Sequence, residues 1–383
     1  MNRLLSHGTE LVNGAFFNHT ANFCTHLWIP HDFHENMLVP LFDNIFIAVN
    51  TESQPADSSK PADSQAQYIQ LDTILSSGLA TAQLVCFNYF CEQLQVVRES
   101  ANSEAKIFIC TDNYSGIYLI SKFAGSYNIL YRGLSADAVL TNFQGSNALL
   151  SPELKSSVQE KELSLHNSWR AIERSKNLGW FVDPDSEIEP ILDIDEFAHY
   201  ASVANGSVHL ALPGELFFFP SPEDLPDNQD WIDVEREDGR AARRFSPAYY
   251  AALLDDLGVS CVVCLGRSDP AAAAAFAARG LATEDLGLAA DGSSLLRGLD
   301  RLLSLARAAP GALAVHSGEG FAWPGYAGTL AEAFLMSRLG FDEGAAGAWL
   351  RMACPWLLPP AAAGSESRPA SRGRGEDLPA PDP

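Results

Sequence analysis

The chain has 383 residues, too many for one comfortable core and suited to two domains of ordinary size. Its 48 acidic and 25 basic residues give a formal charge of −23, which argues against a nucleic-acid or anionic-membrane surface, since both need clustered Lys and Arg. With 47% hydrophobic residues the composition is globular, no apolar run reaches the length of a membrane span, and Met1 to Asn18 is too polar for a secretion signal. Seven cysteines without disulfide-scaffold spacing imply a reducing, intracellular compartment, cytoplasmic or nuclear. The sequons at Asn18, Asn113 and Asn205 are then expected to stay unused.

Residues 1–42 read as an N-terminal extension, followed by a first ordered region over 43–181. It opens with a short β-type run, Ile45 to Val49. Thr51 to Gln67 repeats P-A-D-S at Pro55–Ser58 and Pro61–Ser64 and reads as a solvated insertion. Leu79 to Val97 carries apolar residues at helical spacing, Lys106 to Cys110 reads as a buried strand, and Gly116 to Leu130 as the helix after it. Leu165 to Leu178 reads as another helix, with Trp169 and Ile172 on one side. A connector over 182–200 follows, acidic from Val182 to Asp195.

The second region, 201–358, is more legible. Its acidic stretch Pro222 to Arg240 reads as a surface loop. Ser246 caps a helix with Pro247 at its first position and Gly258 as its stop. Val259 to Leu265 reads as a buried strand, Asp269-Pro270 opens a helix that stops by Gly280, and Ala312 to His316 is a second buried strand. A Gly-rich loop leads into a helix with Ala331, Phe334, Leu335 and Leu339 on one face. Alternating strands and helices predict an α/β fold with a mainly parallel sheet flanked by helices. In such sheets, loops at the carboxyl ends of strands bind ligands. The Pro-, Ala- and Arg-rich tail 359–383 reads as disordered. Composition also shifts along the chain: the last lysine is Lys176, and alanine dominates beyond about Arg240.

The Gly-rich loop, Val315 to Leu330, reads V-H-S-G-E-G-F-A-W-P-G-Y-A-G-T-L. It resembles the cysteine-phosphatase phosphate loop V-H-C-K-A-G-x-G-R-T-G-T. Flanking sequence sharpens the resemblance to the Cdc-fourteen dual-specificity phosphatases. Asp193 to Gly214 (D-I-D-E-F-A-H-Y-A-S-V-A-N-G-S-V-H-L-A-L-P-G) resembles that family's lead into its catalytic domain. Ser246 to Val259 resembles its next helix and strand, and Asp285 to Ser294 (D-L-G-L-A-A-D-G-S-S) its general-acid loop. Phe341 to Pro355, with A-W-L-R at Ala348–Arg351, resembles the helix after the phosphate loop. The resemblance runs over about residues 43 to 358 and implies two tandem phosphatase-like domains, the first without a working site.

The implied chemistry needs a thiolate nucleophile cradled by backbone N–H groups, an arginine fork on the phosphate oxygens, and an acid for the leaving group. Here the nucleophile position is Ser317, whose hydroxyl is not ionised near neutrality, and the arginine position falls at Tyr326, which has no charge and no fork. Eight residues separate the two where the family has five. Gly318, Gly320, Gly325, Gly328 and Thr329 keep the loop character, but Glu319 opposes a dianion and Pro324 removes a donor. Asp291 stands at the acid position, with a turn aspartate before Gly292 as the plainer reading. His316 matches the family's histidine beside the nucleophile. Acidic residues that attract basic substrates in the family are Ala198 and Ala201 here. The resemblance thus implies a pseudophosphatase acting through a protein or phosphopeptide partner, without metal or cofactor. Residual phosphatase activity, with Asp291 as acid and Ser317 or water as nucleophile, and a purely structural role are the alternatives.

Three other patterns read as structure. Cys261-V-V-C-L-G-Arg267-Ser268 spells a cysteine, five residues, arginine and serine, yet its Val262 and Val263 belong to a core strand that cannot wrap an anion. Its C-x-x-C lacks the second pair a zinc site needs. His31, Asp32 and His34 lack further spaced ligands, and the loop glycines lack the Lys of a nucleotide loop.

Overall fold

A computed structural model describes residues 38–42, 45–49, 67–70, 83–100, 105–111, 114–145, 158–181, 191–235, 241–288, 294–317 and 325–357. Within the first half, β1 (Leu38–Phe42), β2 (Ile45–Val49), β3 (Gln67–Gln70) and β4 (Ile107–Thr111) form a sheet in the order β1-β2-β4-β3. β4 is parallel to both its neighbours, and only β1 runs antiparallel. Helices α1 (Gln83–Ser100), α2 (Tyr114–Arg132), α3 (Ala136–Gly145) and α4 (Val158–Asn177) accompany it.

Helix α5 (Ile194–Ala201) begins where Asp193 accepts a hydrogen bond from the Glu196 amide, at 2.9 Å. It leads to β5 (His209–Leu212) and β6 (Leu216–Phe218), then to a two-stranded ribbon of β7 (Trp231–Glu235) and β8 (Ala241–Phe245). Next come α6 (Pro247–Asp256), β9 (Val259–Cys264), α7 (Pro270–Ala278), β10 (Ala282–Asp285), α8 (Leu295–Ala308), β11 (Ala312–His316), α9 (Gly325–Leu339) and α10 (Glu343–Ala353). The second sheet has the order β10-β9-β11-β6-β5, parallel except for its β5 edge. β11 is its middle strand and every one of its residues is buried, as near-continuous apolar strands of parallel sheets are.

The predicted punctuation is physical. Ser246 and Asp269 each cap their helix through the side chain, with Pro247 and Pro270 at the first position. Gly258 and Gly280 take φ of +73° and +78°, a backbone that costs glycine little, and end those helices.

One hydrophobic core runs through both halves. Trp180 stacks on Phe341 and tilts against Trp349, with ring centroids 5.7 and 4.7 Å apart. The Trp349 indole donates to the Ala211 carbonyl at 2.7 Å, which ties α10 to β5. Arg174 of α4 donates through Nε to the Leu339 carbonyl at 2.7 Å, satisfying the end of α9, and Arg170 pairs with Asp342 at 2.9 Å.

Several expectations need correcting. The extension 1–42 contains β1, and Gln67, read as the end of a solvated insertion, begins β3. The stretch read as a surface loop over 222–240 contains β7, in which Ile232 and Val234 share the more buried face and Trp231, Asp233 and Glu235 the exposed one. The second half of the connector 182–200 is α5 rather than linker. The insertion 51–66 and the tail 359–383 lie outside the described residues. Among the described residues no helix is long and apolar enough to cross a membrane.

Candidate functional site

The carboxyl ends of β6, β9, β10 and β11 meet at one edge of the second sheet. Parallel pairing sets their relative height, with His316 opposite Cys264 and Val315 opposite Phe218. Beyond those pairs the ladder continues: the Leu265 amide donates to the His316 carbonyl and the Gly266 amide to the Ser317 carbonyl, both at 2.9 Å. On the other side the Phe219 amide donates to the Val315 carbonyl at 3.1 Å. Ser317 is therefore fixed directly after the central strand β11.

Its hydroxyl lies 2.9 Å from the Ser221 hydroxyl, which in turn stands 3.5 Å from Nδ1 of His316. That last distance is at the outer limit of hydrogen bonding. His316 is 2% exposed, with its ring against Phe219 and, farther off, Phe276. Burial pushes its pKa down to about 4, against the opposing pull of the Asp285 carboxylate, so the ring is neutral at pH 7 and a feeble base. Among the described residues its Nε2 has no hydrogen-bond partner.

Tyr326 lies in the first turn of α9 and is half-buried; Ala327 and Gly328 are buried and Thr329 is exposed. A phenol there cannot reproduce the bidentate charge of a guanidinium. Gly325 starts the helix. Gly318, Glu319, Gly320 and Asp291 lie outside the described residues. Of the residues singled out in the sequence, the structure thus describes His316 and Ser317 at the end of β11 and Tyr326 in the first turn of α9.

Sequence reasoning missed Ser221. It follows a run of three phenylalanines and stands in no motif; only its place after β6 gives it meaning. Arg267 belongs to the cysteine-to-arginine pattern that reads as structure, just beyond the strand expected over Val259 to Leu265. The strand proper ends at Cys264, fully buried from Cys261 onward, and Arg267 sits exposed in the turn beyond it. Ser268 next to it donates its amide to both oxygens of Asp285, each at 3.2 Å, and its hydroxyl to one of them. Among the described residues, no group of three or more His, Cys, Asp and Glu side chains could hold a metal ion.

No family model matches the chain, and no curated protein matches it in sequence. Solved structures of tyrosine and dual-specificity phosphatases are similar to part of it. Tk-PTP in its active form is 20% identical, with a TM-score of 0.26, over 40% of this chain and 87% of that one. TpbA of P. aeruginosa is 24% identical, with a TM-score of 0.23, over 30% of this chain and 73% of that one. Human DUSP28 is 21% identical, with a TM-score of 0.24, over 37% of this chain and 88% of that one. Likeness at this level does not place the chain in any of their families.

Proposed function

We propose that this chain is a divergent protein of the Cdc-fourteen type, built from two phosphatase-like halves, that binds a phosphorylated segment of an intracellular partner without turning it over. The observation that carries this reading is the state of Ser317. Read as the nucleophile's counterpart, it follows the central strand with its hydroxyl engaged with Ser221, and the neighbouring imidazole of His316 is buried and neutral. A serine hydroxyl needs a general base to attack phosphorus, and a transferring phosphoryl group needs clustered positive charge. The residue at the arginine position, Tyr326, supplies neither.

The test is turnover of a phosphomonoester, such as p-nitrophenyl phosphate, alongside calorimetric titration with a phosphoserine-proline peptide and its unphosphorylated twin. The expected result is no turnover above the uncatalysed rate, with saturable binding that requires the phosphate. Turnover abolished by Asp291→Ala or Ser317→Ala sinks the non-catalytic reading in favour of residual phosphatase activity. Absence of any phosphate-dependent binding leaves a structural role.

A further inference from the structure

Arg267 belongs to a stretch that mimics a phosphate-loop signature in sequence and does not form one in space. Its position nevertheless gives it a use. The Gly266 amide is bonded to the Ser317 carbonyl at 2.9 Å, and Ser268 is anchored to Asp285. Arg267 is therefore held between two fixed neighbours, one residue from the strand end that carries Ser317. Its side chain is exposed and makes no hydrogen bond or ion pair among the described residues. Five other arginines of this half are engaged: Arg243 with Asp233, Arg244 with Glu223, Arg279 with Asp255, Arg301 with Glu284 and Arg338 with Glu215. Arg297 and Arg307 are, like Arg267, exposed and unengaged among the described residues, but they stand on α8 and not in the turn beside Ser317.

We propose that Arg267 supplies, from the turn after β9, the positive charge that an oxyanion requires at this edge, with the Ser317 and Ser221 hydroxyls as further donors. The ligand class is a phosphomonoester on a protein segment, so the inference rests on the binding function proposed above and names the residue that grips the phosphate. A fork of N–H donors on a neighbouring loop replaces the one lost at Tyr326, and it does so without a nucleophile beside it.

The experiment is calorimetric titration of the full chain with the phosphoserine-proline peptide at two salt concentrations, for wild type, Arg267→Gln and Arg267→Lys. Because the Arg267 side chain is exposed and makes no hydrogen bond or ion pair among the described residues, both variants are expected to melt with the wild type. Arg267→Gln is expected to weaken binding by roughly tenfold to a hundredfold and flatten its salt dependence. Arg267→Lys, which keeps the charge and loses the fork, falls between. Wild-type binding with Arg267→Gln equally tight overturns the role of Arg267 and leaves the binding function standing. A wild type that does not distinguish the phosphorylated peptide from its twin overturns both.

Discussion

Acidification from pH 7 to pH 5 is expected to weaken the fold chiefly through two imidazoles, His209 on β5 and His316 on β11, which are 5% and 2% exposed. Burial holds the pKa of His209 at about 3 and that of His316 at about 4. The unfolded chain presents both near 6.5. At pH 7 neither state binds a proton at these rings, so they contribute no pH dependence. Below 6.5 the unfolded chain takes up protons that the folded protein refuses, and stability falls until the pH reaches the folded values. The first 1.5 pH units below 6.5 cost roughly 2 kcal/mol per ring, hence about 4 kcal/mol for the pair by pH 5. Glu196 and Glu332, whose pKa values burial raises, act in the opposite direction. The decisive quantity is therefore a difference between proteins. Urea unfolding followed by circular dichroism at pH 7 and pH 5 is measured for wild type, His209→Asn and His316→Asn. Each variant starts less stable, but its loss between the two pH values is expected to be smaller than the wild type's by about 2 kcal/mol. If His316→Asn loses as much as wild type, the ring is already protonated or hydrated in the fold, and the argument that Ser317 lacks a base loses its footing.

Two further outcomes follow from packing. Gly125 lies where an added Cβ would come 2.2 Å from Nε1 of Trp169, an indole that is fully buried and donates to the Lys122 carbonyl, so Gly125→Ala is expected to cost roughly 1–3 kcal/mol in urea unfolding; an unchanged midpoint would show that the α2–α4 contact is slack. Arg174→Met removes the donors that satisfy the end of α9 and is expected to cost about 1–2 kcal/mol, with faster amide exchange over 335–342 and little change in α2. Exchange unaltered in that segment would mean that water satisfies the Leu339 carbonyl equally well.

Much of the second half was legible because each element carries its own local signal. Ser246-Pro247 and Asp269-Pro270 start helices through side-chain caps, Gly258 and Gly280 end them through positive φ, and Ala312 to Val315 is apolar throughout. The strands β1, β3 and β7 were not legible, for different reasons. β3 is four residues long, with glutamine at both ends, and is recognisable only as a parallel partner of β4. β7 sets Ile232 and Val234 on one face and Trp231, Asp233 and Glu235 on the other, inside a stretch whose acidity suggests solvent. Its support is long-range: Arg243 of β8 lies over the Trp231 ring at 5.1 Å and pairs with Asp233 at 2.7 Å.

The site divides along the same line. His316, Ser317 and Tyr326 lie on one loop and its flanks, so spacing along the chain could raise them. Ser221 and Arg267 reach the same edge from other strands, 96 and 50 residues before Ser317; no local pattern marks Ser221, and the one around Arg267 does not link it to Ser317. Register places them. With His316 opposite Cys264, the residues that follow β9 must emerge beside the residue that follows β11, whatever their types. A replacement in the loop can therefore be offset from a neighbouring strand without leaving a motif. Counting losses between Ser317 and Gly328 speaks to the missing thiolate, since Cys264, opposite His316 at this edge, is fully buried and burial raises its pKa. It says little about charge, because the guanidinium missing at Tyr326 can come from Arg267.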